Sequence, residues 1–346
     1  MLICSKASVI EEILENIQVE QAIILMAPPG WGKTYKLLQA IKKSQRKCLF
    51  VFPLRALCDE VYINASRAKI NVCNIRRAKD FEYLSEMDFQ LVVSTPECLK
   101  ADVIEALAQD HVFILDESHL IKLWGETFRP KLVDFLELMQ TYAPPTLLLS
   151  ATMAKDNLAY MEAKLRYHYK DIYHIDLGNL SLKNIPSKVY VYPSQKKNWL
   201  IADIIASIDG EVSLIFCQYR KEVKKLDAYF RSLGLRVLSC VGGEAQKFIQ
   251  ELNTSEKPDI IISTSVLGHG VNLPSVKRVY FLYRVKGVEF YLQMLGRGGR
   301  NGSSFFLHTM NWNYFPLIEL FRGMLRAYLK SIRNRVNYFL YYSNAY

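Results

Sequence analysis

The feature that most constrains the fold is a rhythm. Short, continuous apolar runs rich in β-branched residues alternate with longer stretches whose apolar residues recur every three or four positions. The runs cover 21–26, 47–52, 89–94, 111–115 and 146–150, and the stretches 33–44, 55–65, 96–108 and 131–142 lie between them. A strand that is apolar on both faces is buried on both, and strands joined through helices lie parallel. The rhythm stops at residues 178–187, which are polar and hold Gly178 and Pro186, so this stretch reads as a linker. It resumes with strands at 211–217, 235–240, 259–263 and 277–282 and helices at 220–232 and 244–252, and one long helical pattern runs from about Pro316. With 346 residues and roughly 150 per domain, two domains are expected. The predicted organisation is a first α/β domain at 1–178, a linker at 179–195, a second α/β domain at 196–310 and a helical extension at 311–346.

Composition narrows the class. Half the residues are hydrophobic and 23% are charged, which excludes a mainly disordered chain. The net charge, 44 − 34 = +10, favours a polyanionic partner, with nucleic acid ahead of a membrane surface. Seven cysteines include no C-x-x-C pair, against zinc ribbons, a four-cysteine iron–sulfur cluster and a disulfide framework. Free thiols in a reducing compartment are expected. Glu11, Glu12 and Glu15 interrupt the N-terminal apolar pattern, so no signal peptide is read there. No apolar run approaches the ~18 residues that span a bilayer. A soluble, cytoplasmic protein without membrane contact is the expectation.

The chemistry starts directly after the first strand. Ala27-Pro28-Pro29-Gly30-Trp31-Gly32-Lys33-Thr34 sits between a strand and a helix, the setting of a phosphate-binding loop. Glycines let backbone N–H groups turn toward phosphate oxygens, and the helix N-terminus adds partial positive charge. Pro29, Gly30, Trp31, Gly32, Lys33 and Thr34 form the candidate nucleotide loop. In that setting Lys33 reaches the β- and γ-phosphates and the Thr34 hydroxyl ligates Mg²⁺. Asp116-Glu117-Ser118-His119 follows the strand at 111–115, so both carboxylates stand at the carboxyl edge of the sheet. There Asp116 can hold Mg²⁺ through water and also contribute to the nucleotide site, while Glu117 can orient and deprotonate an attacking water.

Together with Ser150-Ala151-Thr152 and Gln293-Met294-Leu295-Gly296-Arg297-Gly298-Gly299-Arg300, these segments resemble the motif set of superfamily 2 helicases. Phe52-Pro53-Leu54-Arg55-Ala56-Leu57 and Ser94-Thr95-Pro96-Glu97 are similar to the first-domain motifs that touch the nucleic-acid backbone. Ile215-Phe216-Cys217-Gln218-Tyr219-Arg220 is similar to the first motif of the second domain, and residues 264–274 to the motif that bridges nucleotide and nucleic acid. The wording of several motifs, such as Pro-Leu-Arg-Ala-Leu and Gly-Val-Asn-Leu-Pro, is closest to the Ski-like branch.

The resemblance spans Ala27 to Arg300 and implies two tandem RecA-like domains with parallel sheets, using ATP and Mg²⁺. It implies a nucleic-acid-dependent ATPase, a minimal DNA helicase or translocase. An RNA helicase and an ATP-switched clamp are the alternatives. It adds Gly270 and Asn272 to the nucleotide site, and places Arg55, Thr95, Arg129, Gln218 and Thr264 against the backbone of a single strand, DNA ahead of RNA. Thr95, before Pro96, can also cap the following turn. His119 is implied to couple the ATP site to Gln293 or to the Ser150–Thr152 segment. Gln293, Arg297 and Arg300, spaced by four and three, are expected on one face of a helix, with both arginines clamping the γ-phosphate.

Three departures from the family are visible. Gln18 and Gln21 stand where the adenine-reading glutamine is sought, but by distance only. Fewer than 50 residues follow Arg300, too few for the winged-helix and ratchet domains of Ski-like relatives. The turn at 283–287 is too short for a hairpin that could split a duplex. The final helix carries apolar residues from Leu317 to Leu340 at spacings of three and four, with Arg322, Arg326, Lys330, Arg333 and Arg335 among them. It is expected to pack on the motor core, ahead of serving as a protein partner's docking helix or as a basic arm.

Overall fold

Both sheets are wholly parallel, as strands apolar on both faces and joined by helices require. The computed structural model describes the chain except residues 1–8, 78–79, 81–87, 126–128, 269–270, 272, 316 and 344–346, and except the side chains of 301, 317, 320 and 335–343. Two compact units follow each other, Met1–Ser181 and Leu182–Tyr346.

The first unit runs α1 (Val9–Asn16), β1 (Gln21–Met26), α2 (Lys33–Ser44), β2 (Cys48–Val51), α3 (Arg55–Arg67), β3 (Val72–Ile75), β4 (Leu91–Ser94), α4 (Ala101–Ala108), β5 (Val112–Leu115), α5 (Leu120–Gly125), α6 (Lys131–Tyr142), β6 (Thr146–Ser150), α7 (Lys155–Leu165) and β7 (Asp171–Asp176). Its seven strands lie in the order β3-β4-β2-β5-β6-β1-β7. Ile24, Leu49, Phe113 and Leu148 point to one face, against Val103, Phe135 and Met161 of the covering helices. Ile23, Phe50, Ile114 and Leu149 point to the other, against Ile10, Leu37 and Val61. Each such side chain contributes about 2 kcal/mol by leaving water, and truncating one to Ala would cost about 3 kcal/mol or more.

The second unit runs β8 (Lys188–Val191), α8 (Lys197–Ala206), β9 (Val212–Phe216), α9 (Arg220–Ser232), β10 (Val237–Cys240), α10 (Ala245–Thr254), β11 (Ile260–Ser263), β12 (Val276–Phe281), α11 (Val288–Leu295), β13 (Phe306–Thr309) and α12 (Leu317–Ser343). The strand order is β10-β11-β9-β12-β13-β8. Leu214, Ile261 and Val279 meet Phe248, Tyr291 and Met294 on one face. Ile215, Ile262 and Tyr280 meet Leu200, Val223, Phe230 and Ala327 on the other.

Four strands escape the continuous-apolar signal: β3, β7, β8 and β13. Three of them are sheet edges and β13 lies one place in. An edge strand needs cover on fewer sides, and β7, with the sequence DIYHID, has no fully buried residue. The segment expected as a linker at 179–195 therefore contains β8, which pairs with β13 in the second sheet. The helix expected over 96–108 is broken: a short 3-10 turn, Pro96–Cys98, ends at an extended Leu99, and α4 starts only at Ala101. The final helix does pack on its own unit, against β8 and α8. Gly323 makes the approach close, because a Cβ there would stand 2.7 Å from Val191 Cγ2. Among the described residues no helix is long and apolar enough to cross a membrane.

Candidate functional site

In a parallel sheet the loops leaving the strand carboxyl ends gather along one edge. In the first unit that edge collects the Ala27–Thr34 loop after β1, Arg55 after β2, Thr95 after β4, Asp116–His119 after β5 and Ala151–Thr152 after β6.

The loop after β1 is pinned at its start, where Ala27 N–H donates to Ser150 O at 3.0 Å. Gly32 is the N-cap of α2 with φ +85°, a left-handed backbone that favours glycine, and a Cβ there would meet nothing within 4 Å. Gly32, the N-cap, has no side chain to cap the helix. The Lys33 ammonium rests on Ala27 O at 3.0 Å, and Lys36 lies over the Trp31 ring. Pro29, Trp31 and Thr34 are half-buried, while Gly30 and Gly32 are exposed. The cradle is open, glycine-lined and positive.

Beyond β5 the backbone is locked. Asp116 N–H donates to Val51 O and Ser118 N–H to Leu149 O. Glu117 takes φ +51°, uncommon for a residue with a side chain, and its N–H donates to Asp116 Oδ1 at 2.9 Å. Burial, reinforced by the Glu117 carboxylate, pushes the Asp116 carboxyl up to about 7, while the Lys33 ammonium pulls the other way. That coupling places Lys33, Asp116 and Glu117 in one electrostatic cluster. Buried His119 shares a hydrogen bond with Ser150 Oγ at 3.0 Å and stands 3.6 Å from Glu117 Oε2. Of the two partners expected for His119, the Ser150–Thr152 segment is the one met within this unit. Ser150 Oγ in turn donates to Thr152 O.

Thr95 is buried and occupies the N-cap of the Pro96–Cys98 turn, but its hydroxyl does not cap the backbone. It donates instead to Cys98 Sγ at 3.6 Å, because the three-residue turn offers the side chain poor access to its N–H groups. Arg129 is paired with Glu97 through Nε at 2.9 Å. Burial opposes the Glu97 charge, but Arg129 overrides it and holds the carboxyl below its ordinary value. Arg55 is exposed at the start of α3.

In the second unit Gln218 follows β9 and Thr264 follows the adjacent β11, so both lie at that sheet's carboxyl edge. Gln218 is exposed and Thr264 half-buried. Gly270 and Asn272 lie outside the described residues. The single helix face expected for Gln293, Arg297 and Arg300 is not formed. α11 ends at Leu295 with Gly296 as its C-cap, and Arg300 opens a separate 3-10 turn behind a left-handed Gly299. Gln293 is buried on α11. Arg297 is also buried, and its two terminal nitrogens donate to Val271 O at 2.7 Å and Gly268 O at 2.8 Å. Its guanidinium therefore fastens the loop after β11 rather than standing open to a phosphate. Gly298 and Gly299 let this turn sit on Phe305, because a Cβ on Gly298 would run into that ring.

The sequence reading did not single out Asn179. Its amide brackets Met153, accepting from Met153 N–H at 2.8 Å and donating to Met153 O at 2.7 Å. It steadies the end of the Ser150–Thr152 segment, and an Asn just beyond a strand was its only signal. Gln18 and Gln21 turn out to be at the wrong edge. Gln21 opens β1, a strand length (about 20 Å) from the phosphate loop, and its side chain serves Gln18 N–H and Asp171.

Two RecA-like units with a phosphate loop and a paired acid at the carboxyl edge define a P-loop nucleoside-triphosphate-binding architecture. The family model described as DEAD/DEAH box helicase matches residues 6–160, and the helicase conserved C-terminal domain matches 196–302. The chain belongs to the superfamily 2 helicases, with DEAD/DEAH-type N- and C-terminal domains. It is 25% identical over 307 residues to the probable ATP-dependent DNA helicase RecS of Bacillus subtilis, across 84% of this chain and 61% of that protein. It is 26% identical over 319 residues to the ATP-dependent RNA helicase DBP3 of Eremothecium gossypii, across 83% of this chain and 58% of that protein. The chain thus spans about 60% of the length of these curated relatives. In fold it is similar to Dbp5 of S. cerevisiae solved with RNA and ADP BeF3, at a TM-score of 0.67, 18% identity, 93% of this chain and 87% of that one. The narrower likeness to the Ski-like branch rests on motif wording alone.

Proposed function

We propose that this chain is a nucleic-acid-dependent ATPase working as a minimal helicase or translocase on single strands, with DNA favoured. The observation that carries this reading is the cluster at the first carboxyl edge: an uncapped helix N-terminus behind Gly32, Lys33, and the Asp116–Glu117 pair. The glycine cradle and the α2 N–H groups suit a triphosphate, and Lys33 moves from Ala27 O to its phosphates. In this reading the protein groups that would hold Mg²⁺ are Thr34 and Asp116. Mg²⁺ bound there would supply charge neutralisation for the phosphates.

Glu117 then takes the proton of the attacking water. His119 and Ser150 connect that carboxylate to the Ser150–Thr152 segment. Arg300 stabilises charge on the transferred phosphoryl group, while Arg297 fastens the loop that carries Gly268 and Val271. Arg55, Thr95, Arg129, Gln218 and Thr264 meet the strand backbone, with Arg129 exchanging Glu97 for a phosphate. RNA is the alternative substrate, supported by the RNA helicases among the relatives.

Duplex opening by this chain alone is weak in this reading. The segment between β12 and α11 is a short turn held down by Asn311, which bonds both Val285 N–H and Val285 O, so it cannot project as a wedge. A protein partner docks on α12, whose exposed Ile318, Phe321, Leu325, Tyr328 and Ile332 alternate by three and four, the spacing that fits an amphipathic helix. A cytoplasmic setting suits the free, buried cysteines 48, 58, 98, 217 and 240. Steady-state ATP turnover with and without unrelated single-stranded DNA and RNA tests the reading. Stimulation by either strand supports it, and turnover that ignores both overturns it.

A further inference from the structure

The second unit holds a cavity of about 1070 Å³ where α8, α12 and the start of β13 meet. Its lining includes Asp209, just before β9, and Phe306, the first residue of β13, so it opens at the amino edge of the sheet. Gln218 and Thr264 mark the opposite edge, roughly 17 Å away along β9. The volume is slightly above the roughly 300–1,000 Å³ of typical small-ligand pockets.

Its chemistry is aromatic and cationic. Tyr190, Trp199 and Phe306 present rings to the cavity. Two of the lining cations are already neutralised, Arg278 by Asp209 and Lys330 by buried Asp203. Two others are not: among the described residues no carboxylate pairs with Arg326 or Arg333, and Arg333 is exposed. Lys196 lies over the Trp199 ring and Lys277 over the Phe306 ring, adding positive charge at the rim. Rings flanked by guanidinium and ammonium groups without a carboxylate partner match one ligand chemistry, a flat base joined to a phosphate.

The geometry points to a second nucleotide-unit site in this cavity, separate from the phosphate loop. Arg326 and Arg333 hold the phosphate and Trp199 stacks on the base, because the Tyr190 ring already lies between His308 and the Lys330 ammonium. The unit comes either from a free nucleoside phosphate or from a link in a single strand. This site stands apart from the proposed ATPase, and failure of either leaves the other intact.

The test irradiates the full chain with a 5-bromouracil-containing single strand and, separately, with 8-azido-AMP, and maps adducts by mass spectrometry. Adducts on Trp199 or Phe306 are expected. Arg333→Glu, at an exposed position without a carboxylate partner, should lower their yield about fivefold, the share of one phosphate contact in a charge-driven site, and leave strand-free ATP turnover unchanged. Arg326→Gln should act in the same direction, and thermal melting checks that both variants fold. Adducts from the strand identify a strand site, and adducts from azido-AMP alone identify a free-nucleotide site. Lys33→Ala removes azido-AMP adducts at the phosphate loop and spares those in the cavity. Adducts confined to the carboxyl edges with both probes, or cavity adducts indifferent to Arg333→Glu, overturn the inference.

Discussion

Asp116→Asn should stabilise the nucleotide-free chain while disabling it. Asp116 has a carboxyl raised from an ordinary 3.8 to about 7, first by burial and then by Glu117. An acid whose folded pKa is raised imposes no penalty below the unfolded value. Stability is then lost as pH rises through the interval from 3.8 to 7, because the unfolded chain ionises there and the folded chain does not. The ceiling is about 3 pK units at 1.36 kcal/mol each, or about 4 kcal/mol. The residue keeps a partly open edge to solvent, and screening brings the expected gain to about 2 kcal/mol. Asn preserves the Oδ1 acceptor for Glu117 N–H, so little else changes. Guanidinium unfolding followed by circular dichroism, from pH 4 to pH 9 without nucleotide, reads the difference. The variant should match the parent near pH 4 and lead by about 2 kcal/mol above pH 7, with ATP turnover abolished. A difference that is flat in pH, or a variant less stable at pH 8, would refute the electrostatic account of this acid.

The two arginines of the Gln293–Arg300 stretch should separate. Arg297→Ala strands the Val271 and Gly268 carbonyls, and thermal melting should show a loss of about 3 kcal/mol in the second unit. Arg300→Ala should cut turnover about 10³-fold, with nucleotide affinity little altered. Strand binding, measured by anisotropy on unrelated sequences, should be sequence-blind and fall steeply from low to moderate salt, since backbone contacts by a chain of net charge +10 release counterions. A gel-based unwinding assay should show opening of short duplexes only, given the turn that Asn311 holds down.

Most of the core was legible because burial on both faces leaves an unmistakable trace. The runs at 21–26 and 146–150 coincide with β1 and β6, and the helical pattern at 220–232 with α9. β3 and β7 were not legible, since edge position lets VCNI and DIYHID carry polar residues that blur the pattern. At the site, the phosphate loop and the Asp116–His119 segment could be read because glycine, lysine and paired acids have few other reasons to sit at a strand end. The Gln293–Arg300 stretch misled through its spacing. Three glycines within four residues end the helix at Leu295, and Phe305 then decides how the turn packs. Which arginine is buried depends on carbonyls some 26 and 29 positions away, beyond any local pattern. The end of β1 on which Gln21 stands follows from strand direction alone, and spacing to the loop could not replace it.

The most direct test of the central claim compares Glu117→Gln with Lys33→Ala, measuring nucleotide affinity and strand-stimulated phosphate release on the same preparations. Lys33 contacts bound phosphates, so its loss should weaken affinity and turnover together. Glu117→Gln should instead leave affinity near the parent's and remove phosphate release, because an amide cannot take the proton of the attacking water. Phosphate release by Glu117→Gln at the parental rate would contradict the account.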